Sequence, residues 1–278
     1  MYNADDGLGF MDVTSPGLAG WDAVSALIAA EDRSMASGRD QLKNLLSCSR
    51  QSLAPFHDPL EVPLAGHRWL RLDREEAYSD WLEWVLAELR EPGALLSVLG
   101  VTFAEQQDPV MRPVIIKREP QIKYGHENHE GRLDLLIQFG ASALVVVEVK
   151  VTPADASDTD KHTGYCRWLL EERRDIPDSM KETVLITPAA TKEEYSGFVH
   201  VGWSDVCVRL RNLVPEIIAD GRTLSAALIL CFIAAVEQNL LGLASIPPGR
   251  EDTLVGPDLM RMVLHLSRAC QNAPAEGS

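Results

Sequence analysis

From Gly131 to Val151 the chain reads GRLDLLIQFGASALVVVEVKV, two apolar runs on either side of a short turn. Leu133 to Phe139 is apolar apart from Asp134 and Gln138, and Gly140 to Ser142 supplies the turn. Ala143 to Val151 is β-branched and nearly continuous, so the spacing predicts two adjacent strands. A run of that kind belongs in the middle of a sheet covered on both faces. Elsewhere the period is helical. Tyr78, Trp81, Leu82, Val85 and Leu89 form one stripe over Asp73 to Leu89, with Asp73 as the expected cap and Glu76 three residues on. At 100° per residue Glu75 falls beside that stripe and Glu76 points away.

The remaining elements follow from the same patterns. Residues 1 to 20, with four Gly and no periodicity, predict a flexible N-terminal arm. Residues 21 to 66 read as a helical extension with a break at Ser37-Gly38, then a Pro/Gly connector. Pro92-Gly93 ends the second helix, and Val114 to Tyr124 is expected as the first core strand. Gly125 to Glu130 is expected as a loop; its His126 and His129 lack a second pair of ligands for zinc. Thr159 to Arg173 reads as a helix, Glu182 to Thr187 and Phe198 to Val201 as strands, and Ser204 as a helix cap. C-terminal helices are expected over 216 to 270, including an apolar one from Leu224 to Leu243 and a last one from Asp258 to Cys270, before a tail from 271 to 278.

The two central strands carry charge where a buried sheet should not. Glu148 and Lys150, two apart, emerge on one side of a strand. If the strands pair, Asp134 near the start of the first lies beside Glu148 near the end of the second. Burying such groups costs several kcal/mol each unless they are paired or hold a metal. Two carboxylates favour a hard divalent cation such as Mg²⁺, and a neighbouring amine stabilises an anion or orients water. The bland alternative is a structural network at a strand end.

Asp134, followed after thirteen residues by Glu148-Val149-Lys150, resembles the motif of the PD-(D/E)XK nuclease superfamily, the restriction-endonuclease-like and RecB-like nucleases. Leu133 stands where the family has Pro. The resemblance extends to the run Ser79-Asp80-Trp81-Leu82-Glu83-Trp84, which follows a helix carboxylate in that family, and to the Trp203-Ser204-Asp205 helix start. It also covers Tyr165, although Lys161 replaces the Gln of the family's Q-x-x-x-Y signature. It implies an α/β fold with an α-β-β-β-α-β core and a mixed central sheet flanked by helices, here spanning about 67 to 215. By the same resemblance Asp134, Glu148, the Val149 carbonyl and Glu75, with Glu76 as runner-up, would hold Mg²⁺, or Mn²⁺ in its place. Lys150 would orient water or neutralise charge on the phosphate, and Lys161, Tyr165 and Arg132 would face the substrate. The implied activity is metal-dependent phosphodiester hydrolysis, with DNA favoured over RNA.

Bulk composition changes this picture only at its edges. With 278 residues, 46% hydrophobic and 24% charged, the chain reads as an ordinary globular protein with a sizeable core. Its formal charge of −15 argues against coating nucleic acid by charge alone. Val110 to Arg174, however, balances ten Lys/Arg against ten Asp/Glu, so the region of the motif is neutral. Five scattered cysteines suggest reduced thiols and a cytoplasmic setting. The first ten residues have no signal-peptide pattern, and the apolar run Leu224 to Val236 is short for a membrane span. Expected partners are nucleic acid, with no membrane, and either a second copy or a protein that recruits or activates a regulated, defence-type nuclease. The rival reading is a catalytically silent relative of the fold serving as a nucleic-acid- or protein-binding subunit.

Overall fold

The computed structural model describes residues 18–63, 70, 74–103, 113–124, 129–152, 159–172, 174–188 and 197–271, with backbone alone at 18–20, 124, 129, 159–162, 172 and 271. In chain order the elements are α1 (Leu18–Ser52), α2 (Glu75–Leu89), α3 (Pro92–Leu99), β1 (Val114–Arg118), β2 (Gln121–Tyr124), β3 (His129–Arg132), β4 (Leu135–Phe139) and β5 (Ala143–Val149). They continue with α4 (Thr159–Glu172), β6 (Lys181–Thr187), β7 (Val199–Gly202), α5 (Trp203–Ala219), α6 (Thr223–Ala235) and α7 (Gly256–Gln271). The fold is mixed α/β. A five-stranded sheet in the order β1-β4-β5-β6-β7 is flanked by helices, with β1, β4 and β5 antiparallel and β5, β6 and β7 parallel.

Every residue of β5 is buried, as a strand covered on both faces requires. Its neighbour β4 alternates buried and half-buried positions. The stripe of α2 packs as its period dictates, with Tyr78, Leu82, Val85, Leu86 and Leu89 buried in the main core. Trp81 is half-buried and meets Trp84 edge-on at 5.7 Å.

Four expectations need correction. The single strand expected over Val114 to Tyr124 is two strands, because Glu119 takes a left-handed φ of 48° and Pro120 follows it. The chain leaves the main sheet there, and β2 pairs with β3 in a separate two-stranded ribbon. Part of the expected loop, His129 and Glu130, is therefore strand, while residues 125–128 and the proposed Asp73 cap lie outside the described residues. The N-terminal helix is unbroken and begins at Leu18, inside the stretch expected as an arm. Gly38 does not interrupt it. A Cβ at Gly38 would meet Leu259 Cδ2 at 3.1 Å, so this glycine lets α1 and α7 approach closely. Finally, Gly202 rather than Ser204 caps α5, with its N–H donating to Asp205 Oδ2 at 3.2 Å.

The N-terminal extension and the last C-terminal helix, the latter expected to pack on the core, pack on one another. Leu42 and Leu46 of α1, Leu60, Leu243, Ile246 and the α7 residues Leu259, Met262, Val263 and Leu266 form a second apolar cluster. The α6 helix belongs to the main core and continues through a π turn at Val236–Leu240. The stretch Thr223–Leu240 has the length and mean hydropathy, 1.6, of a membrane span, and 56% of it is buried within the chain.

Candidate functional site

The antiparallel pairing of β4 with β5 places Leu135 opposite Val147. One step further along that register, Asp134 falls opposite Glu148. Two backbone contacts fix Asp134. Its carbonyl accepts from Glu119 N–H at 3.0 Å, and its Oδ2 accepts from Val149 N–H at 2.7 Å. The turn at Glu119 therefore does more than end β1; it anchors the first acidic residue against the strand that carries the second.

Glu148 is fully buried, and Lys150 lies just beyond the end of β5 with its side chain 8% exposed. The Lys150 amine donates to Glu75 Oε1 at 2.8 Å and stands 3.6 Å from Glu148 Oε1. Glu75 opens α2 and is half-buried, whereas Glu76 is exposed. Of the two helix carboxylates, Glu75 is the one that reaches the strand residues. Burial alone would lower the Lys150 pKa, but Glu148 beside it, the bond and charge of Glu75, and Asp134 outweigh that and hold it above the ordinary lysine value. Three carboxyl groups surround this one amine, a formal excess of two negative charges, at the carboxyl end of the parallel part of the sheet, where open α/β sheets bind ligands.

Two further residues hold this arrangement in place. Trp203, fully buried at the start of α5, donates from Nε1 to the Lys150 carbonyl at 2.9 Å and packs against Tyr78 and Phe232 with ring centroids 6.0 and 6.1 Å away. Tyr165 of α4 donates to the Arg132 carbonyl at 2.9 Å and is also fully buried. The phenol expected to face the substrate is engaged inside the protein, at the carbonyl two residues before Asp134. Arg132 itself is exposed and pairs with Glu119 at 3.4 Å. With Lys123 it lines a cavity of about 430 Å³ along the β2–β3 ribbon. Lys161 lies in α4, and its side chain is not among those described. The Trp203 contact was missed in the sequence, where only the Trp-Ser-Asp helix start was visible.

Among the described residues no three His, Cys, Asp or Glu side chains form a group able to hold a metal ion. Mg²⁺ does not need such a cage, because it keeps several waters and takes one or two carboxylates. The oxygen donors of Asp134 and Glu148, and the local excess of acid over amine, fit that mode of binding. Residues His126 and Glu127 lie outside the described set. No protein-family model, curated protein or solved structure matches the chain.

A second buried polar cluster went unread in the sequence. Arg211 of α5 is bound by Asp58 at 2.7 and 3.1 Å and by Glu237 at 2.7 and 2.8 Å, both bidentate. Glu237 also meets His265 Nε2 at 2.7 Å, and His265 Nδ1 is 3.2 Å from Ser204 Oγ. Arg211 lies between Cys207 and Val214 on the inward stripe of α5, and a charge placed there is the signal that sequence could have given.

Proposed function

We propose that this chain is a Mg²⁺-dependent nuclease that hydrolyses phosphodiester bonds in nucleic acid, DNA ahead of RNA, on a restriction-endonuclease-like core of the PD-(D/E)XK type. The observation that carries the reading is the cluster itself: Asp134 opposite Glu148, Lys150 between Glu148 and Glu75, all at one end of the sheet. The element order supports it, since α2, β1, β4, β5, α4 and β6 follow the α-β-β-β-α-β succession, with α3 inserted before the first strand and the β2–β3 ribbon after it.

Asp134 and Glu148, with the Val149 carbonyl, would hold the ion, which when bound supplies a water of lowered pKa and polarises the phosphate, while Glu75 stays on the Lys150 amine. The Lys150 amine, held beside Glu75 and Glu148, stabilises negative charge growing on phosphate oxygens or orients the attacking water. Trp203 and Tyr165 keep the two strand ends in register with that amine. Lys123 and Arg132, which line the groove along the ribbon, would meet the phosphate backbone. All five cysteines are free thiols, which suits a reducing cytoplasmic setting. The test is incubation of plasmid DNA and of RNA with the protein in Mg²⁺, Mn²⁺ or EDTA. Cleavage that needs the divalent ion and is lost in Lys150→Ala supports the assignment. No cleavage of either substrate by the wild-type chain supports a non-catalytic binding subunit instead.

A further inference from the structure

The inward stripe of α1 does not end where its partner inside the chain ends. In the second half of the helix Leu42 and Leu46 are fully buried and Met35 and Leu45 are half-covered, all in the cluster that includes α7. Seven-residue steps back from Leu42 reach Met35, Ile28 and Trp21. A repeat of seven is the period at which one helix packs along another. Yet Leu259, near the start of α7, lies against Gly38, so α7 begins too late to cover the first half of α1. From Trp21 to Ser34 every residue except Ala29 is exposed, about 20 Å of helix at 1.5 Å per residue. Trp21 is 59% exposed, Val24 45%, Leu27 70% and Ile28 56%. Large apolar side chains at that spacing, contiguous and in water, mark a contact surface.

We propose that Trp21, Val24, Leu27 and Ile28 dock on the same segment of a second copy of this chain, forming a two-fold helix pair that continues the α1–α7 packing across the subunit boundary. Continuity selects a helix as the occupant, since the same stripe already packs helix on helix within the chain. Self-complementarity selects a second copy. An apolar face is its own partner across a two-fold axis, and Ala23, Ala26, Ala29 and Ala30 flank the large residues with side chains small enough for close approach. Charge agrees. Asp22 is the one charged residue between Leu18 and Ala30, so copies of a chain with formal charge −15 meet here with little like-charge repulsion. Trp21 supplies the aromatic anchor on which such contacts concentrate their energy.

Sedimentation of the full chain across a dilution series tests the pairing. The expected result is a reversible dimer of twice 30.6 kDa, with Leu27→Glu and Ile28→Glu each weakening association at least about tenfold. Because both side chains are exposed in the single chain, circular dichroism should be unchanged by either substitution, and thermal melting should match the wild type at concentrations where the wild type is also monomeric. Leu224→Glu, at an equally exposed apolar residue on α6, should leave the dimer intact. A wild-type chain that stays monomeric, or a dimer indifferent to both α1 substitutions, overturns the proposal. So does a monomer that dimerises only after deletion of residues 1–17, which would make the chain's own first segment the occupant.

Discussion

Lys150 and Arg211 are both buried cations, 8% and 3% exposed at the side chain, and both are held by carboxylates, but their surroundings differ in balance. Arg211 meets two carboxylates with matched forks. Asp58 takes a further bond from the Leu60 N–H at 2.8 Å, and Glu237 takes one from His265. By count this cluster also carries one more carboxylate than cation, but both carboxylates are closed on the guanidinium in bidentate forks. Lys150 has one amine against three carboxyl groups, and its contacts are single rather than bidentate. A buried pair whose geometry closes on itself holds helices together, here α1, α5, α7 and the Pro59–Glu61 turn. A buried cluster with acid to spare calls for a cation from outside. The contrast turns on stoichiometry and bond geometry more than on depth of burial.

The largest effect expected of this contrast is on stability. Arg211→Met should cost about 3–5 kcal/mol by stranding Asp58 and Glu237, and added Mg²⁺ should not restore it; denaturant unfolding with and without the ion checks both. Lys150→Ala should lower hydrolysis about 10²- to 10³-fold, roughly 2.7–4 kcal/mol of transition-state stabilisation. Unlike Arg211→Met, it should gain stability from Mg²⁺, because the ion offsets the acid that the amine leaves behind.

The two clusters should also separate along the pH axis. Burial would raise the pKa of Asp58 and of Glu237, but Arg211, assisted by Ser49 at Asp58 and by His265 at Glu237, draws both below the usual carboxylate range. Lowered folded values mean that the unfolded chain binds protons first as pH falls. Their contribution is complete above about pH 4–5 and is lost as pH drops through the lowered values. Lys150 has the opposite sign. Its raised folded value makes its contribution complete below the ordinary lysine pKa near 10.5 and lost as pH climbs through the higher folded one. Unfolding measured against pH should therefore show Arg211→Met flattening the acid limb and Lys150→Ala the alkaline limb. Smallest of all, Trp203→Phe keeps one aromatic ring but removes the pyrrole half of the buried indole and its bond to the Lys150 carbonyl. It should cost about 2 kcal/mol in stability and lower cleavage less than Lys150→Ala does.

Much of the site region was legible because its signals are local. The β4 and β5 pattern places Asp134, Glu148 and Lys150 by alternation alone, and the helical period picks Glu75 over Glu76. What escaped depends on contacts between segments far apart in the chain. The Arg211 cluster joins residues 153 and 26 positions away, so no window of sequence contains it. Gly38 read as a breaker because glycine lowers helix propensity, yet its missing side chain is what Leu259 packs against. The split at Glu119 turned on one residue in a left-handed conformation within an otherwise extended run. Tyr165 was legible only through the resemblance, as a substrate contact, and its hydrogen bond to the Arg132 carbonyl was not.

Calorimetric titration of Mg²⁺ or Mn²⁺ into the wild-type chain and into Glu148→Gln, a substitution that keeps the side chain's shape, bears most directly on the acid excess around Lys150. The account predicts a saturable divalent site in the wild type that weakens at least about tenfold in Glu148→Gln and is unchanged in Arg211→Met. No saturable binding by the wild type, or equal binding by Glu148→Gln, would contradict it and leave the Lys150 cluster a structural ion network like that of Arg211.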